Sequence, residues 1–381
     1  MHLGIVGVGR IGRMHARNAV ESGRFTGVTL YDVDEVRAKE LAGRLEVAGT
    51  GDLDSLLTTV DAVLVANPTP AHRPTVSAAL AAGVHVLCEK PLAMDATTIT
   101  ALAGEVPAGV HLVVGFQRRF DHAYTRIRQA IAAGEYGTVY LARTTAFDHE
   151  PPDLGYVATS GGIFLDQFVH DLDSLPWLLG QRVVSVQATG SVLVDPAFAA
   201  ADDVDVAAVV LRFAGGGIGM VAGGRRNGGG YDNRLEIFAE RASVTTGLDD
   251  RTPLHSLEPG AAPAPSDPHR HFITRWAGAY RRELEVFADI VDGRAANPSP
   301  PLDSLHSLEI ARACDLSRRT GRTVTIAADG TIAADGSIAA DGAAATDGTT
   351  DGTTDGTAAV AGTAADGAAG SVVPHRVGDM A

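Results

Sequence analysis

A glycine-rich segment near the start of the chain constrains the fold more than any other feature. The sequence GVGRIG, at Gly7–Gly12, follows a short apolar stretch and precedes a helical pattern. In this spacing the first glycine permits a tight turn, the second lets a phosphate group approach the backbone, and the third lets the helix pack against the strand. The segment therefore predicts the strand–turn–helix unit of a doubly wound sheet, with an anion-binding helix N-terminus.

An acidic residue lies where such a turn would use it. VTLYD is predicted to be the second strand, and its last residue, Asp32, lies 20 residues after Gly12. A carboxylate there accepts hydrogen bonds from the ribose hydroxyls of a dinucleotide and repels a 2′-phosphate, which favours NAD over NADP. The alternative is a plain strand–helix turn with a surface aspartate. The cofactor-binding residues predicted in this region are Gly7, Gly9, Arg10, Ile11, Gly12 and Asp32.

The rest of the first 122 residues alternates helical patterns with short apolar strands. DAVLVAN (61–67), VHVLCEKP (84–91) and HLVVGF (111–116) are nearly continuous apolar runs. Such runs are typical of parallel strands that helices cover on both faces. We expect an α/β Rossmann domain with a doubly wound parallel sheet over residues 1–122.

The pattern changes beyond that point. Longer strands with alternating apolar residues follow one another with few helices between them, which predicts an open, mostly antiparallel sheet. Helices are predicted at 164–179, 273–291 and 302–319. We expect a second, α+β domain for substrate binding and oligomerisation over residues 123–325.

The end of the chain is different in kind. IAADGT, IAADGS and IAADGA repeat from residue 326 and pass into TDGT units. These repeats carry too little bulky apolar surface to offset the entropy of ordering the chain. Residues 326–381 are therefore predicted to be a disordered or weakly ordered tail, and the sequence assigns it no role.

Composition argues against several classes of partner. The net charge of −15 repels a phosphate backbone, so no nucleic-acid partner is expected. No apolar run reaches the roughly 18–20 residues that span a bilayer, and the start has no signal-peptide pattern. The only cysteines, Cys88 and Cys314, argue against a disulfide scaffold or a cysteine zinc site. A cytoplasmic protein without a membrane partner is expected.

Two further segments carry residues suited to hydride transfer from an alcohol, which needs a base near the hydroxyl group. The first is Glu89-Lys90-Pro91. Here a lysine follows a parallel strand, at the sheet edge where open α/β folds bind ligands. Proline fixes the local chain direction and directs Lys90 outward. The alternative is an ordinary exposed lysine, because such lysines are common.

The second segment, residues 160–173, contains Asp166 and His170. Their spacing of four places both on one face of a helix, with Asp173 on the same side one turn later. A carboxylate beside an imidazole raises its basicity and holds its orientation. A helix-capping aspartate with a buried structural histidine is one alternative. A metal site is another, but no converging ligand set of known spacing supports it, so no metal is predicted.

These motifs, taken together, resemble those of one known family. Over about residues 1–325 the sequence resembles the Gfo/Idh/MocA oxidoreductases, and within them it is most similar to inositol 2-dehydrogenases. The motifs that carry the family resemblance are GVGRIGRMHA, CEKPLA, GFQRRFD and SGGIFLDQFVHDLD. The similarity to the inositol branch lies in GFQRRFD, GGGYDNRLEIF and RWAGAYRRELEVF.

The resemblance implies a reaction and an assembly. It implies NAD-dependent oxidation of a secondary alcohol on a cyclic polyol, myo-inositol or a stereoisomer, to the inosose. It also implies a homo-oligomer, a tetramer or dimer, formed through the sheet of the second domain.

The resemblance implies roles for single residues as well. Lys90 is expected to contact both substrate and cofactor, His170 to accept the hydroxyl proton, and Asp166 to orient and relay. Asn67 and Glu89 are expected beside the cofactor. The substrate-binding residues that it implies are Arg119, Tyr231 and Tyr280.

Two other functions stay open at this point. A dehydrogenase of the same family acting on another sugar or sugar derivative is hard to separate from the first reading, because pocket residues come from loops that diverge easily. A non-catalytic sugar- or NAD-sensing regulator is the other alternative. The presence of Lys90, Asp166 and His170 argues against it.

Overall fold

Six parallel strands form the first sheet, in the order β3-β2-β1-β4-β5-β6. The computed structural model describes residues 1–334 of the chain. The strands of this sheet are β1 (His2–Val6), β2 (Gly27–Tyr31), β3 (Ala48–Thr50), β4 (Ala62–Val65), β5 (His85–Glu89) and β6 (Leu112–Gly115). The strand order reverses between β1 and β4, and ligands bind at such a switch point in doubly wound sheets.

Helices cover both faces of this sheet. They are α1 (Arg10–Ser22), α2 (Glu35–Leu45), α3 (Leu53–Leu57), α4 (His72–Ala81) and α5 (Ala96–Gly104). The residues of β4 are buried throughout, and two apolar cores lie on the opposite sides of the sheet. The predicted Rossmann fold with a doubly wound parallel sheet is confirmed.

Eight strands form the second sheet, in the order β12-β11-β7-β10-β9-β8-β13-β14. They are β7 (Val139–Phe147), β8 (Val183–Ser191), β9 (Val206–Phe213), β10 (Ile218–Gly224), β11 (Asp232–Ala239), β12 (Ser243–Thr246), β13 (Val324–Ile326) and β14 (Ile332–Ala333). All neighbouring pairs are antiparallel except β7 with β10. The predicted open, mostly antiparallel sheet is confirmed.

Helices pack on one face of the second sheet and leave the other uncovered within residues 1–334. The helices of this half are α6 (His122–Ala132), α7 (Leu154–Val157), α8 (Gly162–Asp166), α9 (Val169–Leu179), α10 (Ala197–Ala200), α11 (Phe272–Arg275), α12 (Ala277–Val291) and α13 (Asp303–Thr320). Helices α9 and α13 contact the sheet directly. Along β9, buried and exposed residues alternate, as expected for a sheet with one covered face.

The helix predicted at 164–179 is divided into α8 and α9. Gln167 and Phe168 lie between them, and the Nε2 of Gln167 donates hydrogen bonds to the carbonyl oxygens of Ala146 (3.2 Å) and Gly224 (3.0 Å). These hydrogen bonds hold the segment against the ends of β7 and β10. The side chain of Phe168 is fully buried. Sheet contacts, rather than local helix propensity, therefore decide the path of this segment.

The C-terminal helices return to the first sheet. Helix α12 packs against α1, and its Leu284, Phe287 and Ile290 belong to the apolar core formed with β1 and β2. Helix α12 therefore follows residue 122 in the chain but stabilises the core of the first sheet.

The predicted tail, residues 326–381, begins inside the folded structure. Ile326 pairs with Ile332 between β13 and β14. Residues 335–381 lie outside the described part of the chain.

Candidate active site

The glycines of the first turn have distinct steric roles. Gly7 has a φ of 88°, and a Cβ added there would lie 2.7 Å from the backbone nitrogen of Asn67. A Cβ on Gly12 would lie 1.8 Å from the carbonyl oxygen of Gly7, so that position requires the close packing of α1 on β1. Nothing lies within 4 Å of a Cβ on Gly9. The turn is thus tightly packed at both ends and accessible in the middle, where a pyrophosphate would approach.

Asp32 lies beside this turn, at the end of β2. Its carboxylate accepts hydrogen bonds from the backbone nitrogens of Val8 (2.9 Å) and Asp34 (3.0 Å). The guanidinium of Arg37 is 3.7 Å away. The acid and the glycine turn therefore come together as the sequence predicts, and this arrangement fits the ribose and pyrophosphate of NAD.

The other residues predicted to bind the cofactor surround the same edge of the sheet. Arg10 and Ile11 form the first turn of α1, with the Arg10 guanidinium 5.3 Å from the Phe272 ring centroid. Asn67 follows β4, and its amide donates to the Thr75 hydroxyl over 3.0 Å. These predicted residues follow the carboxyl ends of β1 and β4, the edge at which a dinucleotide lies in a Rossmann fold.

Lys90 meets the second domain at the end of β5. Its Nζ donates a hydrogen bond to the backbone carbonyl oxygen of Asp166 over 3.0 Å. Its backbone nitrogen donates to the carboxylate of Glu89 over 3.3 Å. Two of the three predicted catalytic residues, separated by 76 positions in the chain, are therefore in direct contact.

Asp166 forms different contacts from those expected. Its carboxylate accepts hydrogen bonds from the Tyr156 hydroxyl and from Arg225, each over 2.8 Å. Burial opposes ionisation, but the positive charges of Lys90 and Arg225 outweigh it and hold the pKa of Asp166 below its usual value. The expected helix face with the Asp166 carboxylate beside the His170 ring is not formed, because the helix is interrupted between α8 and α9 and the carboxylate binds Tyr156 and Arg225 instead.

His170 lies at the start of α9 with its ring edge-on to Phe116. Its Nδ1 is buried and has no hydrogen-bond partner within residues 1–334. Burial, together with the positive charges of Lys90 and Arg118, holds the pKa of His170 well below its usual value. This corrects the expectation that Asp166 raises the basicity of the imidazole. The ring is neutral at neutral pH and can accept a proton.

Arg119 does not act as the resemblance implied. The side chain is buried, and its Nε and one Nη donate to the carboxylate of Asp173 over 2.9 and 2.7 Å. The other Nη binds Asp303 over 2.6 Å and the Pro298 carbonyl oxygen over 2.8 Å. The short 3₁₀ helix 117–120 turns this arginine into the protein interior, where it joins α9 to the start of α13 and to the segment before it.

Tyr231 and Tyr280 are buried around the same region. Trp276 Nε1 donates to the Tyr231 hydroxyl over 3.3 Å, and the Tyr280 ring stands edge-on to His15 at 5.6 Å. Burial raises the pKa of Tyr231 to about 12 and raises the pKa of Tyr280 well above its usual value. Both hydroxyls therefore stay protonated and available as hydrogen-bond donors.

Sequence reasoning missed Arg225 and Asp148. Strands β7 and β10 run parallel with Phe147 opposite Gly224, so the next residues, Asp148 and Arg225, lie side by side 3.8 Å apart. Burial, opposed by Arg225, raises the pKa of Asp148 to about 6. In the sequence, each of these charged residues directly follows a strand. Only the pairing of the two strands shows that the charges meet.

Comparison with known proteins agrees with this architecture. Residues 1–115 match the family model for the oxidoreductase family with an NAD-binding Rossmann fold, and residues 124–245 match the GFO/IDH/MocA C-terminal domain. The chain is 37% identical over 292 residues to the myo-inositol 2-dehydrogenase of Thermotoga maritima, covering 75% of this chain and 87% of that protein.

Two further similarities extend over most of the described chain. The inositol 2-dehydrogenase of Rhizobium meliloti is 33% identical over 332 residues, 86% of this chain and 99% of that protein. The crystal structure of a myo-inositol dehydrogenase from Corynebacterium glutamicum superposes with a TM-score of 0.77 at 29% identity, covering 86% of this chain and 99% of that one. The chain belongs to the Gfo/Idh/MocA oxidoreductase family and is an NAD-dependent dehydrogenase.

Proposed function

We propose that this dehydrogenase oxidises a secondary hydroxyl group of myo-inositol, or of a stereoisomer, to the corresponding inosose. The observation that carries the proposal is the meeting of Lys90, Asp166 and His170 at the carboxyl edge of the Rossmann sheet, beside the glycine turn. Relatives named as inositol 2-dehydrogenases support the choice of a cyclic polyol.

The residues divide the chemistry as follows. NAD, held by the glycine turn and Asp32, would supply the hydride acceptor, while His170, neutral because of burial and adjacent cations, takes the hydroxyl proton. The Lys90 ammonium group stabilises negative charge that develops on the substrate oxygen. Asp166, fixed by Tyr156 and Arg225, holds the helix end whose carbonyl binds Lys90.

A substrate screen tests the proposal. The purified full chain should reduce NAD in the presence of at least one inositol isomer, measured by the absorbance of NADH, and NADP should be a poorer oxidant because of Asp32. Turnover of a glucose-type aldose with no inositol turnover would overturn the substrate assignment. In that case the enzyme is a family member acting on another sugar, a candidate favoured by the buried pairing of Arg119 with Asp173, which occupies a side chain that the resemblance assigned to the substrate. NAD binding without turnover of any polyol would instead support a regulator.

We also propose that the protein is a cytoplasmic homo-oligomer assembled through the uncovered face of the second sheet. Five large apolar side chains are at least one-third exposed on this face: Tyr140, Val210, Ile218, Met220 and Phe238. Several large apolar side chains exposed on one sheet face are typical of a protein interface. The two free cysteines, both buried, fit a reducing compartment. No helix within the described residues is long and apolar enough to cross a membrane.

A charge placed in this face should dissociate the assembly. Val210 and Met220 are direct neighbours on adjacent strands, so Val210→Glu puts a carboxylate in the centre of the patch. An unpaired buried charge costs about 3 kcal/mol, roughly a hundredfold in the dissociation constant. Light scattering after size exclusion should show a smaller species. Val36→Glu, on the exposed face of α2, is the matched control and should keep the wild-type mass. A monomeric wild-type protein would contradict the proposal.

A further inference from the structure

A buried cluster of titratable groups lies directly behind Lys90, where α1, β5 and α12 meet. It consists of His15, Glu89 and Glu283, whose nearest nitrogen and carboxylate oxygen atoms all lie within 4.8 Å of one another. His15 Nε2 donates to one oxygen of Glu89 over 2.8 Å. His15 and Glu283 are buried, and Glu89 alone is partly exposed. The steps proposed for the reaction use neither His15 nor Glu283.

Glu283 is in an unusual state for a carboxylate. The side chain is completely buried, and neither of its oxygens has a conventional donor among residues 1–334. Two ionised carboxylates this close in a dry environment repel each other, and an unpaired buried charge is far more costly than a neutral acid. The site therefore needs a bound cation or a proton held between the two carboxyl groups.

The surrounding groups favour the proton. The titratable groups that lie around Glu283 are His15 from α1, Glu89 from the end of β5 and Tyr280 from α12 itself. When His15 Nε2 donates to Glu89, that nitrogen has no lone pair for a metal ion, and only Nδ1, which has no partner among residues 1–334, could bind one. Burial, reinforced by the charge of Glu89, raises the pKa of Glu283 well above its usual value.

We propose that Glu283 is a neutral carboxylic acid that donates its proton to Glu89 and so acts as a positioning residue for Lys90. The contacts form a chain. His15 binds one oxygen of the Glu89 carboxylate, the other oxygen accepts a hydrogen bond from the backbone nitrogen of Lys90 over 3.3 Å, and a carboxyl oxygen of Glu283 lies within 4.8 Å of the Glu89 carboxylate. The positioning role rests on the proposed function, whereas the protonation state of Glu283 does not.

The protonation state has a measurable linkage to stability. The unfolded chain releases the proton of Glu283 above the ordinary carboxyl pKa, whereas the folded state holds it up to the raised pKa of Glu283. The free energy of unfolding of the wild type therefore falls as pH rises from the first of these pKa values to the second. Glu283→Gln keeps the donor and removes the titration. Its melting temperature should exceed that of wild type by at least about 2 °C at about pH 8, and the gain should shrink toward about pH 5. Glu285→Gln, at an exposed position of the same helix, is the matched control and should show no such trend.

A second measurement tests positioning. Glu283→Leu removes the donor, and its kcat for NAD reduction should be at least about tenfold below that of Glu283→Gln. Equal kcat values for the two variants would overturn the positioning role. Destabilisation of Glu283→Gln that grows with pH would show an ionised Glu283 and overturn the proposal. So would a stoichiometric metal in the purified full chain whose chelation lowers the melting temperature. Because melting needs no substrate, absence of inositol turnover would count only against the proposed function.

Discussion

Replacing Lys90 by methionine is expected to lower kcat for NAD reduction by roughly 10²–10⁴-fold, the usual contribution of a positioned proton-transfer or charge-stabilising group. Methionine retains the unbranched apolar stem but loses the ammonium group that binds the Asp166 carbonyl oxygen. The affinity for NAD should weaken by no more than about tenfold, because the glycine turn and Asp32 supply most of the cofactor contacts.

The chain provides a matched control for this experiment. Its 31 basic residues include only two lysines, Lys90 and Lys39. Lys39 is exposed on α2 and paired with Glu35 one turn away, so Lys39→Met should leave kcat unchanged. Steady-state kinetics, with NAD affinity from calorimetry and melting temperatures for both variants, completes the comparison. A Lys90→Met enzyme that is folded, binds NAD and keeps wild-type kcat would remove Lys90 from the chemistry.

The cofactor half of the site was predictable because its determinants are local. Gly7, Gly12 and Asp32 act through a single strand–turn–helix unit and the strand after it, and the structure assembles them as the spacing indicates. The fit of Gly12 against Gly7 is between neighbours close in sequence, which a pattern of glycines can encode.

The substrate half depended on contacts that spacing alone does not reveal. Asp166 and His170 are four residues apart, yet Gln167 binds carbonyl oxygens on β7 and β10 and separates their helices. The partner of Asp166 is Arg225, 59 positions later, brought there by the pairing of β7 with β10. The sequence singled out the carboxylate at position 166, but the partner of that carboxylate depends on the pairing of distant strands.

Arg119 was predicted to bind substrate, and its buried position also depends on contacts that the sequence does not reveal. An arginine in a substrate loop and an arginine in a buried ion pair have the same appearance in a sequence. Its pairing with Asp173 is decided by the direction in which the short helix 117–120 turns after β6. Arg118 pairs with Asp171 in the same way that Arg119 pairs with Asp173. The two buried ion pairs join α9 to the first domain.

His170 is expected to titrate below about pH 6.5, the usual midpoint for histidine. Burial and the positive charges of Lys90 and Arg118 all disfavour the imidazolium form. Because the base must be neutral, kcat/KM should fall only when the pH drops through this lowered pKa. The ring carbon-bound protons can be followed by NMR, with His170→Asn identifying the signal among the 13 histidines.

The Lys90→Met variant separates the causes of that shift. Removing one neighbouring positive charge relieves repulsion of the imidazolium, so the midpoint of His170 should rise, while Lys39→Met leaves it unchanged. A wild-type midpoint at or above about pH 6.5 would mean that a carboxylate, not burial, controls the imidazole. The arrangement expected from the four-residue spacing of Asp166 and His170 would then describe the working enzyme. A lowered midpoint that rises on loss of Lys90 instead ties proton acceptance to the same lysine that binds the Asp166 carbonyl oxygen.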